Sequence, residues 1–196
     1  MMQLDLASLW AEVRRTVETP RAGARRILNL NLPLATAAQA MLVVAILTGL
    51  LSSLVALIAQ TAGEDAAGLM TLTPLNWVVL QAVGMFLGAG AVHIIGRGFG
   101  GQGRLQGALA LMAWAQFIVL LLQILQMAAL FVLPVLILPL ALVAMALTFW
   151  LLVNFIAELH GFASLIKVLL GMIGAGFALI MVASGILAAF MGPVGG

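Results

Sequence analysis

The charged residues of this 196-residue chain fall into a few clusters that are separated by long uncharged stretches. No Asp, Glu, Lys or Arg occurs in residues 27–63, 66–96, 105–157 or 168–196, which are 37, 31, 53 and 29 residues long. A helix needs about 20 apolar residues to cross a hydrocarbon core that is about 30 Å thick. The first, second and last stretches therefore predict one membrane span each. The longest would make a single helix of about 80 Å, so it predicts two spans.

The sequence thus predicts an all-α, polytopic membrane protein with five transmembrane helices. Only 7% of the residues are charged, which excludes a soluble enzyme or a nucleic-acid-binding protein. The third and fourth spans should reverse at Leu133-Pro134, because proline is tolerated in a first helical turn. Pro139 predicts a kink in the fourth span or a slightly later start. The spans are expected near Leu34–Ala59, Leu75–Ile95, Leu105–Leu130, Leu133–Ala157 and Lys167–Met191.

Every basic residue falls on one side of the predicted bundle. The positive-inside rule makes this side cytoplasmic, so the N-terminus is expected inside and the C-terminus outside. Glu64, Asp65 and the C-terminal tail are expected on the opposite side. The eight basic residues are Arg14, Arg15, Arg21, Arg25, Arg26, Arg97, Arg104 and Lys167.

Residues 1–30 predict a basic, amphipathic cytoplasmic segment ahead of a transmembrane domain over residues 31–196. The apolar face of its helix, which Pro20 ends, comprises Leu6, Leu9, Trp10, Val13 and Val17. This helix either packs under the bundle or lies on anionic headgroups with Trp10 as its anchor. We favour the interfacial position, because a five-helix bundle offers little aqueous underside.

The five predicted spans carry no ionisable side chain away from their ends. Proton relays and ion pathways need such groups within the hydrocarbon region. The sequence also lacks a Ser/His/Asp set and a His-Glu-x-x-His motif. We therefore predict a non-enzymatic protein with neither a cofactor nor a metal site.

Small residues mark faces of the second and fifth spans, at Gly84 and Gly88 and at Gly171 and Gly174. Such faces let helix backbones approach closely in a membrane. They predict helix packing within the bundle or, alternatively, an interface with a partner or a second copy. Packing within the bundle is the more common use of this loose pattern.

The two cytoplasmic connections share an order of residues, in which a histidine is followed by glycine, phenylalanine and a cation. They are candidates for a lipid- or anion-binding site, since α-helix N-termini and basic side chains both favour phosphate, although helix capping is the more common use of such residues. In the alternative interpretation, the glycines only cap helices, and the histidines lie at the negative helix ends. Metal ligation by the histidines is a weaker possibility, because their spacing is nonspecific. The candidate residues are His93, Arg97, Gly100, Gly101, Gly103, Arg104, Glu158, His160 and Lys167.

Three short segments and the five-span plan resemble bacterial Yip1-domain proteins. The segments are Thr19–Ile27 (TPRAGARRI), Gly100–Gly103 (GGQG) and Glu158–Gly161 (ELHG). Eukaryotic relatives in this family are five-span proteins of the endoplasmic reticulum and Golgi that bind Rab GTPases. Those relatives have a long hydrophilic N-terminal region, whereas about 30 residues precede the first span here. The resemblance therefore implies a bacterial inner membrane, and it supplies no catalytic residues.

Together these patterns predict a protein that organises the membrane or partner membrane proteins. Its expected partners are the bilayer, anionic lipid headgroups, and a membrane protein or a second copy of the chain, with no nucleic acid. The alternative is a small transporter, channel or lipid-translocating protein. A continuous polar groove across the bundle would distinguish the alternative, and Gln81, Gln116, Thr148 and Asn154 are the residues available to line one.

Overall fold

The structure, a computed structural model, describes residues 5–61 and 72–191. These residues form seven α-helices, with no strand in the described ranges. Glu64, Asp65 and the C-terminal tail, which the sequence predicts on the outer side, lie outside the described residues. The helices are α1 (Leu6–Glu18), α2 (Pro20–Asn29), α3 (Leu34–Thr61), α4 (Pro74–Gly98), α5 (Leu105–Val132), α6 (Ile137–His160) and α7 (Leu165–Met191).

Four helices in the described part of the chain are long and apolar enough to cross a membrane. They cover Leu34–Gln60, Pro74–Gly98, Leu105–Val132 and Pro134–His160, close to the first four predicted spans. The described apolar part of α7, Leu165–Ala178, is shorter than a span. A membrane protein with several spans is therefore established, while the fifth span and the orientation stay predictions.

The predicted reversal between the third and fourth spans is confirmed. Helix α5 ends at Val132, a single 3-10 turn covers Pro134–Leu136, and α6 begins at Ile137. Pro139 then lies in the first turn of α6, where a missing backbone N–H leaves no hydrogen bond unmade. The later start, rather than a kink, is how the chain accommodates this proline.

Helix α5 is the centre of the bundle and contacts α3, α4 and α6. Its small residues Ala108, Ala113 and Ala115 are buried, which lets the neighbouring helices approach closely. Helices α3 and α4 also pack tightly, since a Cβ at Gly49 would lie 2.6 Å from the Val78 Cα. By contrast, α7 packs on α6 around Val168 and does not pack along α4 in the described residues.

The two short N-terminal helices form a hairpin that packs against α5 and α6. Val13 and Thr16 of α1 are buried, and the indole N–H of Trp114 donates to the Thr16 hydroxyl at 3.2 Å. The inner face of α1 therefore packs on the bundle, as in the interpretation that we did not favour. Leu6 and Trp10 remain 82% and 64% exposed, so only this first part of α1 keeps the predicted interfacial character.

Candidate cationic lipid-binding site

The helix ends that carry the candidate residues meet at one end of the bundle. Helices α4 and α6 end there and α5 and α7 begin there, and hairpin α1–α2 docks onto it. We call this the cationic end, because Arg21, Arg25, Arg97, Arg104 and Lys167 all lie on its helix ends. The α4–α5 and α6–α7 connections, which the sequence predicts to converge, meet at this cationic end.

His160 links the two connections through both of its ring nitrogens. The backbone N–H of Gly103 donates to Nδ1 at 3.2 Å, and Nε2 lies 3.1 Å from the carbonyl oxygen of Val92. An accepting Nδ1 places the proton on Nε2, so the neutral ring donates to Val92. His160 is only 3% exposed, so it connects α6 to α4 and to the α4–α5 turn as a buried structural group.

Three glycines form the wall around the His160 ring. A Cβ added at Gly96, Gly101 or Gly103 would overlap the His160 side chain, so none of these positions can accept a larger residue without a shift. Gly101 N–H also closes the end of α4 by donating to the Gly96 carbonyl at 2.9 Å. Gly101 and Gly103, which the sequence suggests as phosphate-binding residues, therefore contact a histidine.

Helix α6 ends in a capping motif that positions the second connection. Gly161 is left-handed at φ 73°, and Phe162 N–H donates to the Ala157 carbonyl at 2.8 Å. This is the Schellman arrangement, in which glycine avoids the penalty of a positive φ. Phe162 then stacks on His160 with ring centroids 5.5 Å apart. The glycine-capping interpretation is thus what the structure shows at the end of α6.

The basic N-terminal hairpin is tied to the same end by polar contacts. The Arg25 guanidinium lies 2.8 Å from the Glu158 carboxylate, and Arg21 donates to the Phe162 carbonyl at 2.9 Å. The hydrogen bond to Glu158, followed by its Coulomb attraction, raises the pKa of Arg25 above its usual value. Glu158 therefore forms an ion pair with Arg25, and its negative charge offsets the positive charge of the guanidinium.

Three cations of the candidate set are accessible at the surface of this end. Arg97, Arg104 and Lys167 are exposed, and no carboxylate of the described residues lies within 4.0 Å of them. Arg104 precedes α5, and neither α5 nor α7 has an acidic residue in its first turn. His93, on α4, is half-buried and makes no hydrogen bond in the described structure. The exposed cations and two helix N-termini together favour an anion at this end.

A groove of about 560 Å³ opens beside these cations, between α4, α6 and α7. Its lining is almost entirely apolar, and Lys167 and Ser164 are the polar residues at its mouth. No sequence pattern predicts this groove, because it forms only where α7 and α4 lie apart in the folded protein. The other residues that matter for its shape are Gly88, Gly96, Phe99, Leu152, Phe162, Gly171 and Gly176.

The small-residue faces of α4 and α7 are mostly open in the single chain. A Cβ at Gly84, Gly171 or Gly174 would meet no atom within 4 Å, and one at Gly88 would meet only the Met112 methyl at 3.4 Å. No described residue covers Gly84, Gly171 or Gly174, so the use of these glycines in packing or at an interface stays a prediction. The close approaches lie at Gly23, Gly49, Gly96, Gly101, Gly103 and Gly107 instead.

Two of the polar side chains inside the spans bond to their own helices. Thr148 donates to the Ala144 carbonyl at 2.7 Å, and Asn154 donates to the Trp150 carbonyl at 2.8 Å. Neither residue lines the groove, nor do Gln81 and Gln116. Within the described ranges, no three His, Asp or Glu side chains cluster as metal ligands would.

The comparisons with known proteins agree with this architecture. The chain matches the Yip1 domain over residues 15–187, from the last turn of α1 to near the end of α7. No curated protein and no solved structure matches the chain. Since the match covers far more than half of the sequence and includes all of the segments that carry the resemblance, this chain belongs to the Yip1-domain family.

Proposed function

We propose that this protein is a non-enzymatic membrane organiser that holds anionic phospholipid headgroups at its cationic end. The single observation that carries the proposal is the exposure of Arg97, Arg104 and Lys167 without an acidic partner in the described structure. Arg14, Arg25 and Arg26 are instead paired with Glu18, Glu158 and Glu12 at 2.7–2.8 Å.

Arg15 on α1 is also exposed and unpaired in the described residues, so it is the grouping of three such cations at these helix ends that supports a ligand with negative charge. A basic residue close to an anionic membrane surface contributes about 1 kcal/mol to its attraction. Three such residues beside the N-termini of α5 and α7 would hold a phosphate more strongly than one isolated side chain. If these three residues only set the membrane topology, they need to be positively charged and to lie on this side of the membrane. That role does not require their side chains to be exposed.

The proposed setting is a bacterial inner membrane, with five spans, a cytoplasmic N-terminus and an external C-terminus. In this orientation the cationic end faces the cytoplasmic leaflet, where the positive-inside rule puts basic residues. Helix α7 supports a fifth span because it is 27 residues long, or about 40 Å at 1.5 Å per residue.

The open face of α4 around Gly84 supports a second part of the organising role, contact with another membrane helix. Gly84 is exposed, and no atom of the described residues lies within 4 Å of a Cβ placed there. A second copy of this chain or a partner membrane protein can approach closely there. The transporter, channel or lipid-translocating alternative is less well supported, since the apolar groove and the self-bonded Thr148 and Asn154 give no polar path.

Lipid analysis of charge variants tests the headgroup proposal. Arg97→Gln with Arg104→Gln should lower the anionic phospholipid that co-purifies in mild detergent, while insertion and monodispersity stay unchanged. Arg14→Gln with Arg26→Gln is the matched control, because it removes the same formal charge from paired arginines. Equal lipid content in both correctly inserted double variants would refute the proposal.

A further inference from the structure

We propose that the groove between α4, α6 and α7 holds one acyl chain of an anionic phospholipid, with its headgroup at Lys167. This inference rests on the proposed headgroup binding at the cationic end. It adds that the protein also binds an acyl chain of the lipid, and it places that chain in the groove. Lys167 connects the groove to the cationic end, because it lines the mouth of the groove and is one of the unpaired cations.

The depth of the groove matches one leaflet. On α4 its lining runs from Phe99 to Gly88, which is about 16 Å at 1.5 Å per residue. On the other side it runs from Phe162 to Leu152, a similar distance. Half of a hydrocarbon core about 30 Å thick is about 15 Å. A phospholipid chain that enters from the cationic end would fill this depth, whereas a transmembrane partner helix needs a face that continues across both leaflets.

The lining suits a flexible hydrocarbon chain. Gly88, Gly171 and Gly176 contribute no side chain, so the walls recede where larger residues would fill the space. The volume of about 560 Å³ lies within the 300–1,000 Å³ typical of small-molecule sites. A void of this size inside a bilayer cannot stay empty, because its walls would lose their contacts with neighbouring atoms.

Charge selects which lipid occupies the groove. Lys167 can place its ammonium group at the headgroup level while its methylene chain stays beside the apolar wall. Arg97 is exposed two residues before Phe99, a groove residue, on the same helix end. No Asp or Glu is among the described residues that line the groove, so nothing there repels a phosphate. A zwitterionic lipid would fill the same space but would lack the net attraction.

The matched glycines of α7 provide the test. A Cβ at Gly171 or Gly174 meets no described atom within 4 Å, so we expect the fold to accommodate leucine at either position. Only Gly171 lines the groove. Gly171→Leu should therefore fill the groove, and Gly174→Leu is a control of equal size on the same helix.

The experiment is native mass spectrometry of the full chain released from vesicles of phosphatidylglycerol and phosphatidylcholine in equal amounts. The wild type and Gly174→Leu should retain one phosphatidylglycerol molecule, and Gly171→Leu should lose it. Lys167→Gln should keep a bound lipid but lower its preference for phosphatidylglycerol about fivefold, the ratio that 1 kcal/mol per basic residue gives.

The Gly171 variant and the measured headgroup preference test the groove site and the proposed headgroup binding separately. A Gly171→Leu protein that keeps its lipid, or a wild type that retains none, overturns the groove site, whatever the arginine variants show. A loss of lipid in Gly171→Leu with no headgroup preference in the wild type overturns the charge selection and the proposed function, but leaves a chain-binding groove. A mass of two protein chains that appears only when Gly171 is intact would identify a second copy as the occupant and overturn the lipid assignment.

Discussion

His160 offers the sharpest test of how the cationic end is held together. His160→Phe keeps a ring of similar size but leaves the buried N–H of Gly103 without an acceptor. An unpaired buried backbone N–H costs about 1–3 kcal/mol. The Val92 carbonyl loses less, because it lies within α4 and can keep the hydrogen bond of its own helix.

His160→Ala adds a cavity to this loss. The walls around the ring are Gly96, Gly101 and Gly103, which have no side chains that could fill the space. Removing a buried ring typically costs about 3–5 kcal/mol. At about 2–4 °C per kcal/mol for a chain of this size, we expect Tm to fall by about 2–12 °C in His160→Phe and about 8–32 °C in His160→Ala, which carries both losses.

The assay is the fraction of monodisperse protein after heating in detergent, followed by size-exclusion chromatography. His93→Ala is the control, because His93 lies near the matching end of α4 but makes no hydrogen bond in the described structure. Its Tm should fall by clearly less than that of His160→Ala. A His160→Phe protein with the wild-type Tm, or equal losses in the two alanine variants, would refute the account of His160 as the link between the connections.

Three further predictions follow from the packing and the topology. Gly49→Ala should lower stability by about 1–3 kcal/mol in thermal unfolding, because its Cβ would press on the Val78 backbone, whereas Gly84→Ala should change it little. Arg25→Cys with Glu158→Cys, in a chain that has no cysteine of its own, should be bridged by a short bis-maleimide; failure in the folded protein would contradict docking of α2 on α6. Reporter fusions should report cytoplasm after residue 30, at 100 and at 162, and outside at 65 and at the C-terminus, and a cytoplasmic C-terminus would exclude five spans.

The sequence was sufficient to predict the spans because their signal is local. A long run without charge must cross the membrane or be buried, so the bounds of α3 to α6 lie within a few residues of the expected ones. The Leu133-Pro134 reversal follows from the missing N–H of one residue. The ends of α4 and α6 were predictable for the same reason, since glycine beyond a last turn indicates a cap.

Contacts between distant helices could not be predicted in this way. The pattern Gly84-x-x-x-Gly88 indicates that backbones can approach, but it does not tell which helix approaches or whether any does. The sequence also presents Gly101 and Gly103 as free loop glycines, although His160 occupies the space beside them. The buried face of α1 depends on Thr16 meeting Trp114, 98 residues away, and amphipathicity alone does not distinguish a lipid surface from a protein surface.

Photo-crosslinking in a bilayer tests the central claim, that the cationic end holds anionic phospholipid. The probe is phosphatidylglycerol with a photoreactive headgroup, compared with a phosphatidylcholine probe that carries the same group, and adducts are mapped by mass spectrometry of peptides. We expect phosphatidylglycerol adducts to concentrate in residues 97–104 and 162–167 and to weaken at high salt, with fewer from phosphatidylcholine. Equal labelling by both probes, or adducts spread evenly along the chain, would contradict the claim.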